Sequence, residues 1–233
     1  MYEGCGNNFK KNVLCVVSHA DDEALGLGGT LIRHASEGDK VNIIILSEGE
    51  DAKSTLNKKN PNRLNNAQEW ANNSNCNLYK VCNFPDQKLD SIPQIEMVRI
   101  IEKAMEDLMP NIVYIHHPGD MNSDHQIAAQ VSLAAIRPMS YHKVIPEIRA
   151  FETPSSTDQA PNIDPYIFKP NFYVSITDYW DRKLEGLKIY SSEIKSNPHP
   201  RSIKSIKSLA IKRGAESGLK MAEAFYIIRS VWK

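Results

Sequence analysis

Several features that would place this chain in a class at once are missing from it. Cysteine is sparse: Cys5, Cys15, Cys76 and Cys82 form no CxxC pair, and Cys15 sits in an apolar run. Reduced thiols are the expectation, and the pattern argues against a disulfide framework or a cysteine-built structural zinc site. Excess charge of one sign is absent as well, since 28 Lys and Arg face 28 Asp and Glu. That balance argues against a general nucleic-acid surface and against an anionic membrane surface. No run approaches the ~18 apolar residues of a membrane span, so no integral membrane segment is expected. The N-terminal MYEGCGNNFKKNVLCVV lacks the apolar centre and small-residue cleavage site of a secretory signal, and a cytoplasmic protein follows. There is no internal repeat, no low-complexity tract and no evident linker. At 233 residues and 41% hydrophobic, the chain can bury a substantial core, and one domain over residues 1–233 is expected.

What is present is a sequence of buried strands and amphipathic helices. NVLCVVS at 12–18, KVNIIILS at 40–47 and NIVYIHH at 111–117 are continuous rather than alternating apolar runs, the mark of parallel strands covered on both faces. Helical periodicity fills the gaps: Glu23 to Ser36 with Gly38 as its stop, residues 62–76, and residues 92–109 ending at Pro110. The third helix is expected to bury Ile95, Val98, Ile101, Met105 and Leu108. This alternation predicts an α/β fold, a Rossmann-like, mostly parallel sheet with helices on both faces. The second half reads as a long loop at 152–171, a strand at 172–176, and closing helices at 177–194 and 202–225 that complete the pocket.

In such sheets ligands bind beyond the carboxyl ends of the strands, where two clusters fall: SHADDE at 18–23 and HHPGDMNSDH at 116–125. A hydrolytic zinc site takes three N or O ligands and leaves a fourth position for water. His19 and Asp22 can turn toward one point, and His125 can supply the third ligand from the next loop. Asp21 is left as a carboxylate beside the water, suited to take its proton. A structural alternative treats Asp21 and Asp22 as favourable charges at a helix N-terminus. GLGG at 26–29 lies too late in the helix for a dinucleotide fingerprint, so Gly26, Gly28 and Gly29 are read as close-packing points or pocket floor.

SHADDEALGLGGTL resembles the (A/S)HPDDE…GGT motif of the zinc-dependent sugar de-N-acetylases, the LmbE-like or PIG-L family, and HPGDMNSDH resembles that family's second motif. FPDQKLD at 84–90 and PHPRSIKSIKSLAIKRGAESGLKMAEAF at 198–225 are similar to segments of some members, so the resemblance spans most of the chain. It implies Zn2+ as cofactor, His19, Asp22 and His125 as ligands, and Asp21 as general base. Ala20 replaces the usual proline. Asn122 stands where several members carry a histidine that stabilises the oxyanion or protonates the leaving amine. An amide can donate a hydrogen bond but deliver no proton. The acid is therefore left to His199, His117 or Asp21 acting twice, with His199 favoured because the C-terminal part must fold back over the site. Asp124 is placed to orient a ring.

Arg63 matches the family's substrate-binding arginine, and an Arg fork suits a phosphate or a pair of sugar hydroxyls. Glu152 and the hydroxyls to Thr157 can line a sugar site, as can His117. Arg201 and Arg213 meet an anionic carrier or form surface ion pairs, and His34 and His142 are read as structural or exposed. The implied activity is removal of an N-acetyl or small N-acyl group from an amino-sugar conjugate, nucleotide-, lipid- or glycoside-linked, in glycan or glycoconjugate biosynthesis, with a homo-oligomer compatible. Two alternatives stand beside it: a non-haem iron oxygenase using the same two-His, one-carboxylate set, and a non-catalytic relative that binds a sugar conjugate.

Overall fold

The computed structural model describes residues 10–47, 63–138 and 144–232; Cys5 and His142 lie outside them. Seven strands form one sheet in the order β3-β2-β1-β4-β5-β7-β6. The strands are β1 Asn12–His19, β2 Lys40–Ser47, β3 Asn77–Val81, β4 Ile112–His116, β5 Glu147–Phe151, β6 Phe172–Ser175 and β7 Ala222–Arg229. Among the described residues six α-helices accompany them: α1 Asp22–Ser36, α2 Arg63–Ser74, α3 Gln94–Leu108, α4 Ser123–Ala135, α5 Trp180–Ile189 and α6 Ile203–Ser217. Strands β1 to β5 pair in parallel, while β7 runs antiparallel to both β5 and β6. The expected mostly parallel α/β sheet is what forms.

Each apolar run feeds two cores. In β1, Val13, Cys15 and Val17 face one cluster with Trp70, Leu187 and Phe225, while Leu14 and Val16 face another with Met97, Ile101 and Val131. Alternating sides in a fully buried strand leaves no polar position, which is why the run is continuous. Helix α3 buries Met97, Val98, Ile101, Ala104 and Met105, whereas Ile95 is 51% exposed; the buried stripe is set one position round from the expected one. The segment read as a single helix over 202–225 divides. α6 stops at Gly218 in the left-handed conformation (φ 73°), and Ala222 onward enters the sheet as β7 between β5 and β6.

Helix α1 is broken at Leu27 (φ −143°, ψ 20°). Beyond the break, the free amides of Gly29 and Thr30 donate to Oε1 and Oε2 of Glu223 from β7, at 3.0 and 2.7 Å. On the near side Lys183 Nζ of α5 donates to Leu25 O (3.1 Å) and to Glu223 Oε1 (2.6 Å). A buried ion pair thus caps both ends of the interruption. A Cβ on Gly26 would lie 2.6 Å from the Phe151 ring and one on Gly29 2.8 Å from Ile176 Cγ2, so these two glycines let α1 approach the sheet. At Gly28 the nearest atom would be 3.5 Å away, an ordinary contact.

The chain steps outward from β1 to β2 and β3, then returns to β4 on the other side of β1. The crevice outside β1 and β4 is therefore the topological switch point. His19 ends β1, His116 ends β4, and α1 and α4 start directly above them.

Candidate metal centre

His19, Asp22 and His125 offer one ligand atom each within 4.8 Å of one another, and all three are buried. His19 Nδ1 and His125 Nε2 each lie 3.3 Å from Asp22 Oδ2. Asp22 Oδ1 and His125 Nε2 are buried with no hydrogen-bond partner. Orphaned buried polar atoms are rare and ask for an explanation, and here they belong to two of the three residues of this group. Two imidazoles and a carboxylate are the donor set of a catalytic zinc site.

The far nitrogens of both histidines are held by acids. His19 Nε2 lies 3.1 Å from Asp124 Oδ2 and 3.1 Å from Asp86 Oδ1. Asp124 is itself anchored by the amides of Gln87 (2.8 Å) and Leu89 (3.2 Å). His125 Nδ1 lies 3.3 Å from Asp120 Oδ1, and Asp120 also accepts from the Ser156 hydroxyl, Thr157 Oγ1 (2.5 Å) and the Asn122 amide (2.8 Å). Such carboxylate–histidine pairs fix the ring tautomer, leaving Nδ1 of His19 and Nε2 of His125 as the ligand atoms.

Electrostatics support the same reading. Burial opposes protonation of His19, but Asp124, Asp22 and Asp86 outweigh it and hold its pKa well above the ordinary value. His125 is likewise raised to about 9 by Asp22 and Asp120 against burial. Asp22, despite its burial, is held well below the carboxylate range, chiefly by His125. The acids around the two rings favour positive charge at this point, which a divalent cation would supply. His116 stacks on His125 with centroids 3.9 Å apart. Its Nε2 accepts the Ser18 amide (3.0 Å), and burial first, then His125, lowers its pKa to about 4, so it serves as a neutral brace.

Asp21, beside the ligands, has φ 126° and ψ −26°, a strained conformation for a non-glycine residue that costs of order 1–3 kcal/mol. Its amide donates to Glu23 Oε2 (3.1 Å), and Glu23 Oε1 accepts from Tyr190 OH (2.5 Å). Burial pushes the Glu23 carboxyl up to about 8. Asp21 Oδ2 accepts from Arg63 Nη2 (3.1 Å) and Arg201 Nη1 (3.0 Å). Burial raises the Asp21 pKa, with Arg201 and Arg63 opposing.

The remaining sequence candidates fall in different places. Arg63, at the start of α2, reaches Asp21 rather than standing in solvent. Asn122 caps α4, its Oδ1 accepting the Asp124 amide at 2.9 Å. His117 Nε2 donates to Tyr166 O (3.0 Å) and the ring packs edge-on against Phe168; its Nδ1 is buried without a partner. Glu152 is held by Arg213 through two 2.7 Å hydrogen bonds, and the Arg213 guanidinium lies over the Phe168 ring, 5.6 Å from its centroid. His199 is exposed and its Nδ1 accepts the Arg201 amide (3.0 Å), a bond inside its own loop. The structure does not bring His199 into contact with the cluster. Sequence reasoning missed Asp86, Asp120, His116 and Glu193. The first three lie inside the quoted motifs, where nothing local marks their parts.

The sequence model of the PIG-L family, described as GlcNAc-PI de-N-acetylase, matches residues 14–136, which carry both clusters and make up more than half of the 233 residues. The chain belongs to the PIG-L family. Over 244 aligned positions it is 24% identical to the diacetylchitobiose deacetylase of Thermococcus kodakarensis, covering 97% of this chain and 86% of that protein. Its fold is similar to that of the N,N'-diacetylchitobiose deacetylase from Pyrococcus horikoshii, with a TM-score of 0.75 and 20% identity over 94% of this chain and 84% of the other. The structure of GalB, the 4-carboxy-2-hydroxymuconate hydratase from Pseudomonas putida KT2440, is similar too, with a TM-score of 0.77 and 20% identity over 96% and 98% of the two chains. The fold therefore hosts more than one chemistry, and the assignment of activity rests on the site.

Proposed function

We propose that this PIG-L protein is a zinc-dependent deacetylase that hydrolyses the N-acetyl, or a similarly small N-acyl, group of an amino-sugar conjugate. One observation carries this reading: buried His19, Asp22 and His125 each bring a ligand atom within 4.8 Å of the others, beside the Asp21 carboxylate, and two of these residues keep an orphaned buried polar atom. A divalent ion held by His19 Nδ1, Asp22 and His125 Nε2 would polarise the acyl carbonyl and lower the pKa of a water to about 7. The chain's own residues do the rest. Asp124 and Asp86 on His19, and Asp120 on His125, keep the ligand nitrogens aimed. Asp21 takes the water's proton on Oδ1 while the arginines hold Oδ2. The acylated nitrogen then needs that proton to leave as an amine. Asp21 returning it fits the geometry better than His199, which is tied into its own loop, or His117, whose Nε2–H is committed to Tyr166 O. Glu152 and His117 are the residues we assign to the sugar conjugate, each set by a neighbour, Arg213 for Glu152 and Phe168 for His117. The names of two relatives, a diacetylchitobiose deacetylase and a probable N-acetyl-alpha-D-glucosaminyl L-malate deacetylase, support an amino-sugar substrate, and the setting we propose is cytoplasmic glycan or glycoconjugate biosynthesis.

The test is incubation of zinc-loaded protein with a panel of N-acetylated glycosides, nucleotide sugars and glycolipids, followed by mass spectrometry and acetate assay. Loss of one acetyl group with equimolar acetate is expected, and Asp21→Asn should abolish it while zinc content is kept. Acetate release by Asp21→Asn at the wild-type rate removes Asp21 as base. Iron content with oxygen-dependent turnover, or hydration without acetate, would overturn the deacetylase reading.

A further inference from the structure

The family match ends at residue 136, yet the base is held from residue 201. Arg63 arrives from the start of α2 and Arg201 from the loop ahead of α6, and both donate to the same oxygen of Asp21, Oδ2, at 3.1 and 3.0 Å. Oδ1 accepts no hydrogen bond from the described residues. The two oxygens of one carboxylate are thereby made unequal: one is fixed by two guanidinium groups, and the other is left for a proton.

Arg201 is suited to holding rather than to anchoring a ligand. Its Nε donates to Ser155 Oγ at 2.7 Å, and its Nη1 is shared between Asp21 Oδ2 and Glu193 Oε2, the latter at 3.4 Å. Arg63 Nη2 lies 3.4 Å from the same oxygen of buried Glu193, so one acid sets both arginines. Ser155 adjoins Ser156 and Thr157, the two hydroxyls that hold Asp120 against His125. Through Arg201, then, the loop that aims one candidate ligand also aims the base.

We propose that Arg201 is a positioning residue for the general base: it pins Asp21 Oδ2 against Arg63, with Glu193 as its brace, so that Oδ1 faces the reacting water. This rests on the deacetylase reading of the site. A lysine at 201 keeps the charge but cannot bond Ser155 and Asp21 together, because it lacks the fork. A base displaced by about 1 Å can lose on the order of 100-fold in rate.

The experiment compares wild type, Arg201→Lys and Arg201→Ala, each loaded with zinc, on whichever panel member is deacetylated. Both variants should lose about 10–100-fold in kcat, with KM and zinc affinity each within about threefold of wild type. Added guanidinium should restore kcat to Arg201→Ala, while ammonium should not. An unchanged kcat, or a loss confined to KM as for a substrate anchor, overturns the proposal. Should wild type release acetate from nothing, the proposed function fails on its own account, and crystal structures of the zinc-loaded proteins decide this inference. An Asp21 carboxylate turned from its wild-type rotamer in Arg201→Ala supports it, and an unmoved one overturns it.

Discussion

Replacing Lys183 by Met tests whether the break in α1 is held by the buried pair that spans it. Lys183 and Glu223 have side-chain exposures of 4% and 5%, and their 2.6 Å contact is out of reach of solvent screening. Methionine keeps most of the stem volume but removes the ammonium. Leu25 O then loses its donor, and the Glu223 carboxylate is left buried with the Gly29 and Thr30 amides as its remaining partners. Removing one member of a buried pair costs about 3–5 kcal/mol. The two amides sit at the start of a helical segment and partly stabilise the anion, which favours the lower end, about 3 kcal/mol. For a chain of this length each kcal/mol lowers Tm by about 2–4 °C, so a fall of about 6–12 °C is expected. Adding Glu223→Gln removes the stranded charge while keeping an acceptor for one amide, and the double variant should melt above the Lys183→Met single. Thermal unfolding followed by circular dichroism, at fixed zinc, measures both. A shift below about 2 °C for Lys183→Met, or a double variant no more stable than the single, refutes the reasoning.

Asp120→Asn should weaken zinc binding by about 10–100-fold, read by chelator competition; unchanged affinity would mean that His125 needs no acid behind it. Gly26→Ala and Gly29→Ala should each destabilise by about 1–3 kcal/mol through overpacking. Gly28→Ala, with ordinary contacts around its new methyl, should be neutral or stabilising by up to about 1 kcal/mol; equal costs at all three positions in urea unfolding would contradict the packing account. Asn122→Ala should cost about 1 kcal/mol as a lost helix cap, whereas Asn122→Ser should cost about 0.5 kcal/mol or less; a variant pair of equal stability would remove the cap.

The strands and helices flanking the site were legible because burial on both faces leaves an unmistakable pattern: β1, β2 and β4 are continuous apolar runs, and α1 to α3 carry helical periodicity with a stop signal behind α1 and α3. What was not legible has physical reasons. NLYKV of β3 is half exposed and carries a lysine. In α4, Ala-rich turns are buried between sheet and α3 on more than one side, so no single stripe shows. AEAF favours a helix locally, but pairing with β5 and β6 overrides propensity there. Gly218 is a stop signal there, but the apolar pattern continues past it. At the site, His19, Asp21, Asp22, Asp124 and His125 are legible in SHADDE and HHPGDMNSDH, whereas nothing local marks the parts of His116 and Asp120 in the second stretch. Glu193 and the Arg201 contact to Asp21 depend on chain closure over many residues, which no local pattern encodes.

A histidine at position 122 would have offered a ready proton donor, and Asn122 instead caps α4 through its carbonyl oxygen. Amide hydrolysis still requires that the departing nitrogen be protonated. In the proposed mechanism one carboxyl, Asp21, must then accept a proton from water and return it to the amine. A carboxyl with that double duty has to keep a single oxygen within reach of both partners in turn, which a freely rotating side chain would not do. The strain at Asp21, the Glu23 acceptor for its amide, and the two arginines on Oδ2 all restrict that rotation. On the proposed mechanism, the weight of structure on this one acid is the counterpart of an asparagine at position 122: an acid that serves both transfers must be placed for both.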